Sequence, residues 1–232
     1  MKKLLIALVT LVPALAMAAG GSNVHLEDAN VDLKDTASLE RGLDLFQQYC
    51  SGCHSTQYQR YGRVAEDLNI SVDDMRSKYM YTDAKVGDLM ENSIPEADAA
   101  KWFGAAPPDL TLVARVRGED WVYSYLKGFY ADETRPFGVN NSVFPLVGMP
   151  HVLQDLQGLA VKQADGTLVA SGGSMSAEEY DQAVRDITAF LVYSGDPVKL
   201  EREALGGWVL GFLFIFFIIA YLLKKEYWKD VH

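Results

Sequence analysis

Apolar residues are distributed along this chain in three ways. Near the N-terminus, Leu4–Leu15 is an almost unbroken apolar run, interrupted by Thr10 and Pro13. Near the C-terminus, Leu205–Leu223 is apolar on every side and carries no charge. Between them, apolar positions recur at helical or alternating spacing, the pattern of segments with one buried face. Ser38–Cys50 places Leu39, Gly42, Leu43, Phe46 and Tyr49 near one helical face, with Ser38 as the expected cap. Val64–Leu68 and Val72–Lys78 read as short helices; Ser71 caps the second, and Asp73 and Asp74 sit in its first turn. Ala97–Pro108 turns into Pro107-Pro108, where helix is forbidden. Asp120–Tyr130 reads as an amphipathic helix rich in aromatics. Ala131–Met149 has no clear period and contains Pro136, Gly138, Pro145 and Gly148, which predicts a long structured loop of a functional kind. Leu159–Ala170 predicts a small hairpin with a two-residue turn at Asp165-Gly166. Ser176–Tyr193 is the strongest helix: Ser176 and Glu179 form a capping box, Tyr180, Val184, Ile187, Phe190 and Leu191 share a face, and Gly195 and Pro197 stop it. Ser22–Thr36 is polar, acidic and aperiodic, and reads as an extended arm.

The two terminal runs have different meanings. Lys2 and Lys3, the short apolar stretch and Ala16-Met17-Ala18 form a secretory signal with an A-x-A cleavage site. The C-terminal run nearly crosses a hydrocarbon core of about 30 Å at about 1.5 Å per residue. Trp208 and Tyr227-Trp228 suit the two interfaces, and Lys224, Lys225 and Lys229 follow the run at once. Basic residues stay cytoplasmic, so the domain before the span is exported. The expected organisation is a signal peptide at 1–18, a periplasmic domain at 19–200, a transmembrane anchor at 201–223 and a cytoplasmic tail at 224–232. The expected placing is a single-pass chain in a bacterial inner membrane.

Charge and composition narrow the function. The 232 residues carry 21 Lys+Arg against 31 Asp+Glu, a formal net charge of -10. Removal of the signal takes Lys2 and Lys3 and leaves 19 basic against 31 acidic residues, or -12. An acidic domain is a poor nucleic-acid binder. It suits a basic protein partner met by electrostatic steering. With only two cysteines, the chain cannot hold a multi-disulfide scaffold or any zinc or iron–sulfur site that needs four thiolates.

Those two cysteines lie in Cys50-Ser51-Gly52-Cys53-His54, the C-x-x-C-H motif of covalent haem attachment. Two thiols three residues apart can each add to a vinyl group of one haem, and the adjoining imidazole can then reach the iron. A disulfide would leave His54 without a role. A thioredoxin-like pair needs a βαβ context that is missing. His25, His151 and His232 stand at no zinc-finger spacing. For the sixth iron position a Met thioether suits electron transfer. Met75, Met80 and Met90 read as core residues. Met149, in Val147-Gly148-Met149-Pro150, is the leading candidate, with Met175 and His151 as rivals; otherwise His151 reads as a surface residue. Arg115 and Arg117 could meet haem propionates or stand as solvated surface arginines.

The chain resembles the cytochrome c1 family, the haem-c subunits of ubiquinol–cytochrome c (bc1) reductase complexes. The resemblance rests on Cys50–His54 with Ser55 and Gln57–Tyr61, on Trp102–Leu110 with its Pro107-Pro108-Asp109-Leu110, on Arg115–Trp121, on Gly148-Met149-Pro150 and on the single anchor. It covers most of the chain after the signal. It implies thioethers at Cys50 and Cys53, axial ligands His54 and Met149, and a haem environment that includes Arg117, Arg115, Trp121 and Pro108. The expected fold is mostly α: an enlarged class I cytochrome c-like haem domain with a small hairpin and one C-terminal transmembrane helix, in which Ser38–Cys50 packs near Ser176–Tyr193. The expected function is to pass one electron from a Rieske iron–sulfur protein to a soluble or anchored cytochrome c. Cytochrome b and membrane lipid are further partners, and the polypeptide performs no catalysis of its own. A tethered cytochrome serving a terminal oxidase or a dehydrogenase, and a haem peroxidase, are the alternative readings.

Overall fold

The helix pair expected from the apolar spacing is the centre of the molecule. In a computed structural model, residues 24–231 are described, so the signal sequence lies outside the described residues. Helix α1 (Thr36–Tyr49) crosses a long helix near the end of the haem-motif domain, Ala177–Gly195. Phe46 lies on Phe190 with ring centroids 5.4 Å apart. At the crossing the backbones are so close that a Cβ on Gly42 would stand 2.0 Å from the Asp186 carbonyl oxygen. The Asp186 side chain is buried there. It accepts hydrogen bonds from Ser38 Oγ at 2.6 Å, from Gln182 at 2.8 Å and from both Nε (2.7 Å) and a terminal nitrogen (3.0 Å) of Arg41. A buried carboxylate is tolerated when its oxygens are satisfied in this way.

Ser38 is therefore not the cap of α1. Asp35 caps it, accepting from the Ser38 amide at 3.1 Å. The Ser38 hydroxyl lies on the buried face and is used by Asp186 instead.

After the haem motif come β1 (Thr56–Arg60), α2 (Tyr61–Asp67) and α3 (Val72–Asp74), which continues as a π-helical turn at Met75–Tyr79. Ser71 caps α3 as expected, accepting from the Asp74 amide at 3.0 Å. Strand β2 (Leu89–Met90) pairs antiparallel with β1. Helix α4 (Glu96–Phe103) was not expected: it starts after Pro95 and ends at Gly104, whose φ is +81°, before the proline pair. Helices α5 (Val113–Arg117) and α6 (Glu119–Lys127) meet at Gly118, with φ +93°. Helix α6 is shorter than its apolar pattern suggested, because Phe129–Ala131 leaves as β3 and pairs with β4 (Val139–Asn141). The expected long loop thus contains β4 and the last residue of β3, strands too short to leave a period in the sequence.

Helix α7 (Gln154–Gln157) leads into the anticipated hairpin of β5 (Gly158–Lys162) and β6 (Leu168–Gly172). Its turn is a three-residue loop, one residue longer than the expected Asp165-Gly166 turn, closed by Gln163 N–H donating to Thr167 O, with Gly166 at φ +90°. Helix α8 (Ala177–Gly195) keeps its capping box, and α9 (Lys199–Tyr227) is a single exposed helix with a mean hydropathy of 2.4 in its most apolar window.

The arm at 24–35 is extended and fastened across α6 and α8. Ala29 N–H donates to Asp120 at 2.8 Å, and Glu27 N–H donates to Ser124 Oγ at 2.8 Å. Lys127 joins Glu27 (2.6 Å) to Asp181 (2.8 Å), and Asp181 also receives Arg185 (2.9 Å) and the Tyr123 hydroxyl.

Candidate functional site

The haem motif begins where α1 ends. Cys50 N–H still donates to Phe46 O, and Cys53 and His54 N–H both donate to Cys50 O, which folds the five residues into one tight turn. Both thiols are free. Burial, with Cys53 nearby, pushes the Cys50 thiol up to about 12. It is thus unlike the low-pKa thiolate of a redox-exchange pair.

Two outside segments fix this turn. Asn92, just after β2, donates to Cys53 O at 2.8 Å and its N–H donates to Ser55 Oγ at 2.9 Å. From the other side, Leu110 N–H donates to Ser55 O at 2.8 Å. Asp109 bridges the Gln57 amide (2.8 Å) and the Thr111 amide (3.0 Å). The proline pair is the reason this strap is extended: each ring sets its φ, and Pro108 keeps Pro107 out of the helical region.

His54 lies against that strap. Its Nδ1 is 2.7 Å from the Pro108 carbonyl oxygen. A carbonyl can only accept, so Nδ1 carries the proton and Nε2 keeps a free lone pair. Burial lowers the His54 pKa, against opposing effects of the Pro108 hydrogen bond and Asp109, and favours the neutral ring. This is the state and orientation of an imidazole that binds a metal through Nε2.

Met149 stands on the second half of the domain, at the exit of the loop that follows β4. Asn140 and Asn141 shape that loop. Asn141 Oδ1 accepts from the Val143 (2.9 Å) and Phe144 (3.1 Å) amides, and Asn140 Oδ1 accepts from the Leu146 amide at 2.8 Å. Leu146 has φ +63°, a left-handed conformation rare for a branched side chain. Arg135 holds it there, donating to the carbonyls of Leu146 (2.8 Å) and Val147 (3.2 Å). A Cβ on Gly148 would meet nothing nearer than the Phe103 carbonyl oxygen at 3.9 Å. Half-buried Met149 packs with Phe129, Val139 and Val147.

A ladder of side chains one helical turn apart runs toward Met149. The Arg117 guanidinium lies 5.1 Å from the Trp121 ring centroid. Trp121 stacks on Tyr125 at 5.0 Å and 9°. The Tyr125 hydroxyl donates to Met149 Sδ at 3.3 Å. Burial raises the Tyr125 pKa, so the phenol stays a donor. Arg115 points elsewhere: it pairs with Asp196 at 3.1 Å, which also receives Arg202 of α9 at 2.6 Å.

The rival methionines have other surroundings. Met75 and Met90 are buried in the main core, and Met80 and Met175 pack against it. His151 is not a surface residue: it is buried and stacks on Phe129 at 4.8 Å and 4°, and burial lowers its pKa to about 4. Among the described residues, no cluster of three or more His, Cys, Asp or Glu could hold a metal ion. Two free thiols, a neutral imidazole and a thioether are donor types that a covalently attached haem takes. Sequence reading missed Asn92, Tyr125 and the Asn140-Asn141 pair, and it singled out Asp109 without a role. Only the Asn-Asn dipeptide carried a local signal, since Asn side chains commonly organise turns.

A profile of the Cytochrome C1 family matches residues 28–231. Cytochrome c1 of Allochromatium vinosum is 54% identical, with all of both chains covered. The ammonia monooxygenase gamma subunit of Nitrosomonas europaea is 44% identical, covering 100% of this chain and 99% of that one. A solved hyperthermophilic respiratory Complex III chain shares the fold at a TM-score of 0.50 and 18% identity, covering 100% of this chain and 98% of that one. The helical domain, the C-x-x-C-H turn and the apolar terminal helix define a membrane-anchored c-type cytochrome. More specifically, the chain belongs to the cytochrome c1 family. It is the electron-transfer subunit of a quinol–cytochrome c reductase and carries one covalently bound haem c.

Proposed function

We propose that Cys50 and Cys53 would form the two thioethers of the haem and that His54 Nε2 and Met149 Sδ would ligate its iron. The observation that carries this is the His54–Pro108 hydrogen bond at 2.7 Å, which turns Nε2 outward beside two free thiols. When bound, the haem supplies a one-electron iron couple, and a His/Met ligand set raises its potential. The chain's own residues orient and tune. Pro108 fixes the His54 tautomer, and Asn92 and Asp109 hold the motif turn. Arg117, beside Trp121, would supply the cationic partner for a propionate, because Arg115 is paired with Asp196.

The electron comes from a Rieske iron–sulfur protein and leaves to a cytochrome c, soluble or anchored. After haem attachment the chain has no thiols left for a cluster, so quinol chemistry belongs to partner subunits, cytochrome b among them. The polypeptide alone is not an enzyme. Helix α9 anchors the domain in the bacterial inner membrane. Lys224, Lys225 and Lys229 follow its apolar run, which supports a cytoplasmic C-terminus and a periplasmic haem domain. The acidic domain attracts a basic acceptor, so its reaction rate with such a cytochrome should fall as ionic strength rises.

The test is an optical spectrum of detergent-purified protein for two variants. Met149→Leu should lose the Met-ligated low-spin signature. His151→Phe should keep it, because that ring stacks on Phe129. An unchanged spectrum in Met149→Leu, or a lost signature in His151→Phe, would overturn the ligand assignment.

A further inference from the structure

We propose that Tyr125 is a positioning residue that tunes the potential of the centre through its hydrogen bond to Met149 Sδ; the inference rests on the reading of Met149 as a ligand. The argument begins with how firmly this phenol is held. Its ring is stacked on Trp121 on one side (5.0 Å, 9°) and set edge-to-face against Phe129 on the other (5.3 Å, 71°). Its backbone carbonyl accepts from Asn141 Nδ2 at 2.8 Å. The same Asn141 shapes the loop that leads to Met149, through the Val143 and Phe144 amides. One buried amide therefore links the donor's helix to the acceptor's loop. Among the described residues, the Tyr125 hydroxyl makes one hydrogen bond, to the Met149 sulfur at 3.3 Å.

The chemistry follows from the thioether. A Met sulfur has two lone pairs; one can go to iron and the other can accept a weak hydrogen bond. A donor at the second lone pair withdraws electron density and makes the sulfur a poorer ligand for the more electron-demanding ferric state. The ferrous state gains by comparison, and the potential rises. Hydrogen bonding to an axial ligand from outside the coordination sphere is a recognised means of setting haem potential. The hydroxyl also restricts the sulfur to one orientation, because Tyr125 cannot swing between two aromatic neighbours.

The Tyr125→Phe variant of the full-length, haem-loaded protein keeps both aromatic contacts and removes only the donor. Redox titration should show the equilibrium moved threefold to tenfold toward the ferric form, tenfold being about 59 mV for one electron. The Met-to-iron signature should persist. Tyr123→Phe removes a hydroxyl from the same helix, where it serves the Asp181 network, and should leave the potential unmoved while lowering thermal stability. A Tyr125→Phe potential equal to the parent's, in protein whose Met149→Leu counterpart has an altered spectrum, overturns this inference alone. An unaltered spectrum in Met149→Leu overturns the ligand reading and this inference with it.

Discussion

The crossing of α1 and α8 allows a sharp test, because one atom decides its geometry. Gly42→Ala adds a Cβ 2.0 Å from the Asp186 carbonyl oxygen, 2.7 Å from its carbon and 2.9 Å from Phe190 Cβ. Two of the three obstacles are backbone and cannot rotate away. Ordinary van der Waals contact begins near 3.4 Å, so the helices must part by more than about 1 Å at this point. Parting them lifts Phe46 from Phe190 and stretches the Ser38–Asp186 and Arg41–Asp186 bonds. Overpacking costs about 1–3 kcal/mol, and weakening bonds to a buried carboxylate adds about 1–2 kcal/mol. Alanine returns about 1 kcal/mol of helix propensity. The net loss is about 1–4 kcal/mol, or a fall in Tm of roughly 2–16 °C for a chain of this size. Gly87→Ala is the control, since a Cβ there meets nothing within 4 Å. Thermal melts of the haem-loaded protein, followed by far-UV circular dichroism, measure both. A Gly42→Ala protein that melts with or above its parent would refute the account of close backbone contact. The consequence reaches the site, because α1 ends at Cys50 and its placement sets where the motif turn begins.

Two further outcomes follow from the geometry. Asn92→Ala removes the bond to Cys53 O at 2.8 Å and the one accepted from the Ile94 amide at 3.1 Å; it should cost about 1–2 kcal/mol and lower the covalent haem content per chain, read by pyridine haemochrome assay. At Asp181, burial works to raise the carboxyl pKa, but hydrogen bonds from Lys127, Tyr123 and Arg185 hold it at about 2, below the ordinary 3.8. A depressed folded-state pKa stabilises above the unfolded value, so this contribution is complete above about pH 4 and is lost as pH falls toward about 2. Asp181→Asn should be less stable at neutral pH and should flatten the acid limb over that window in chemical-denaturation curves taken against pH; an unchanged limb would remove Asp181 from the account.

Much of the local structure was legible because its causes are local. The capping box at Ser176 and Glu179, the Ser71 cap, the Asp165-Gly166 turn and the apolar face of α8 all act within a few residues. The motif turn was legible for the same reason. Where a local rule met a distant competitor, it failed. Ser38 is a good cap, but the buried Asp186 took its hydroxyl and Asp35 capped the helix instead. The apolar pattern of α6 ran past Lys127, but Gly128 lies against Ser142 and Asn141, and the chain left the helix to pair with β4.

The site divides along the same line. By itself the sequence determined which atoms can hold a haem, since thiols, imidazole and thioether are properties of residue type and C-x-x-C-H is a property of spacing. It also determined the apolar anchor, because a charge-free run needs no partner to be recognised. Only the tertiary structure decided which His54 nitrogen stays free, because that depends on a carbonyl 54 residues away. Only the tertiary structure showed that His151 is buried against Phe129 and not at the surface, and only it carried a line of side chains from Arg117 through Trp121 and Tyr125 to the Met149 sulfur. Hydrogen bonds and ring stacking fall off within a few ångströms, so what they select is settled only when folding brings distant segments together.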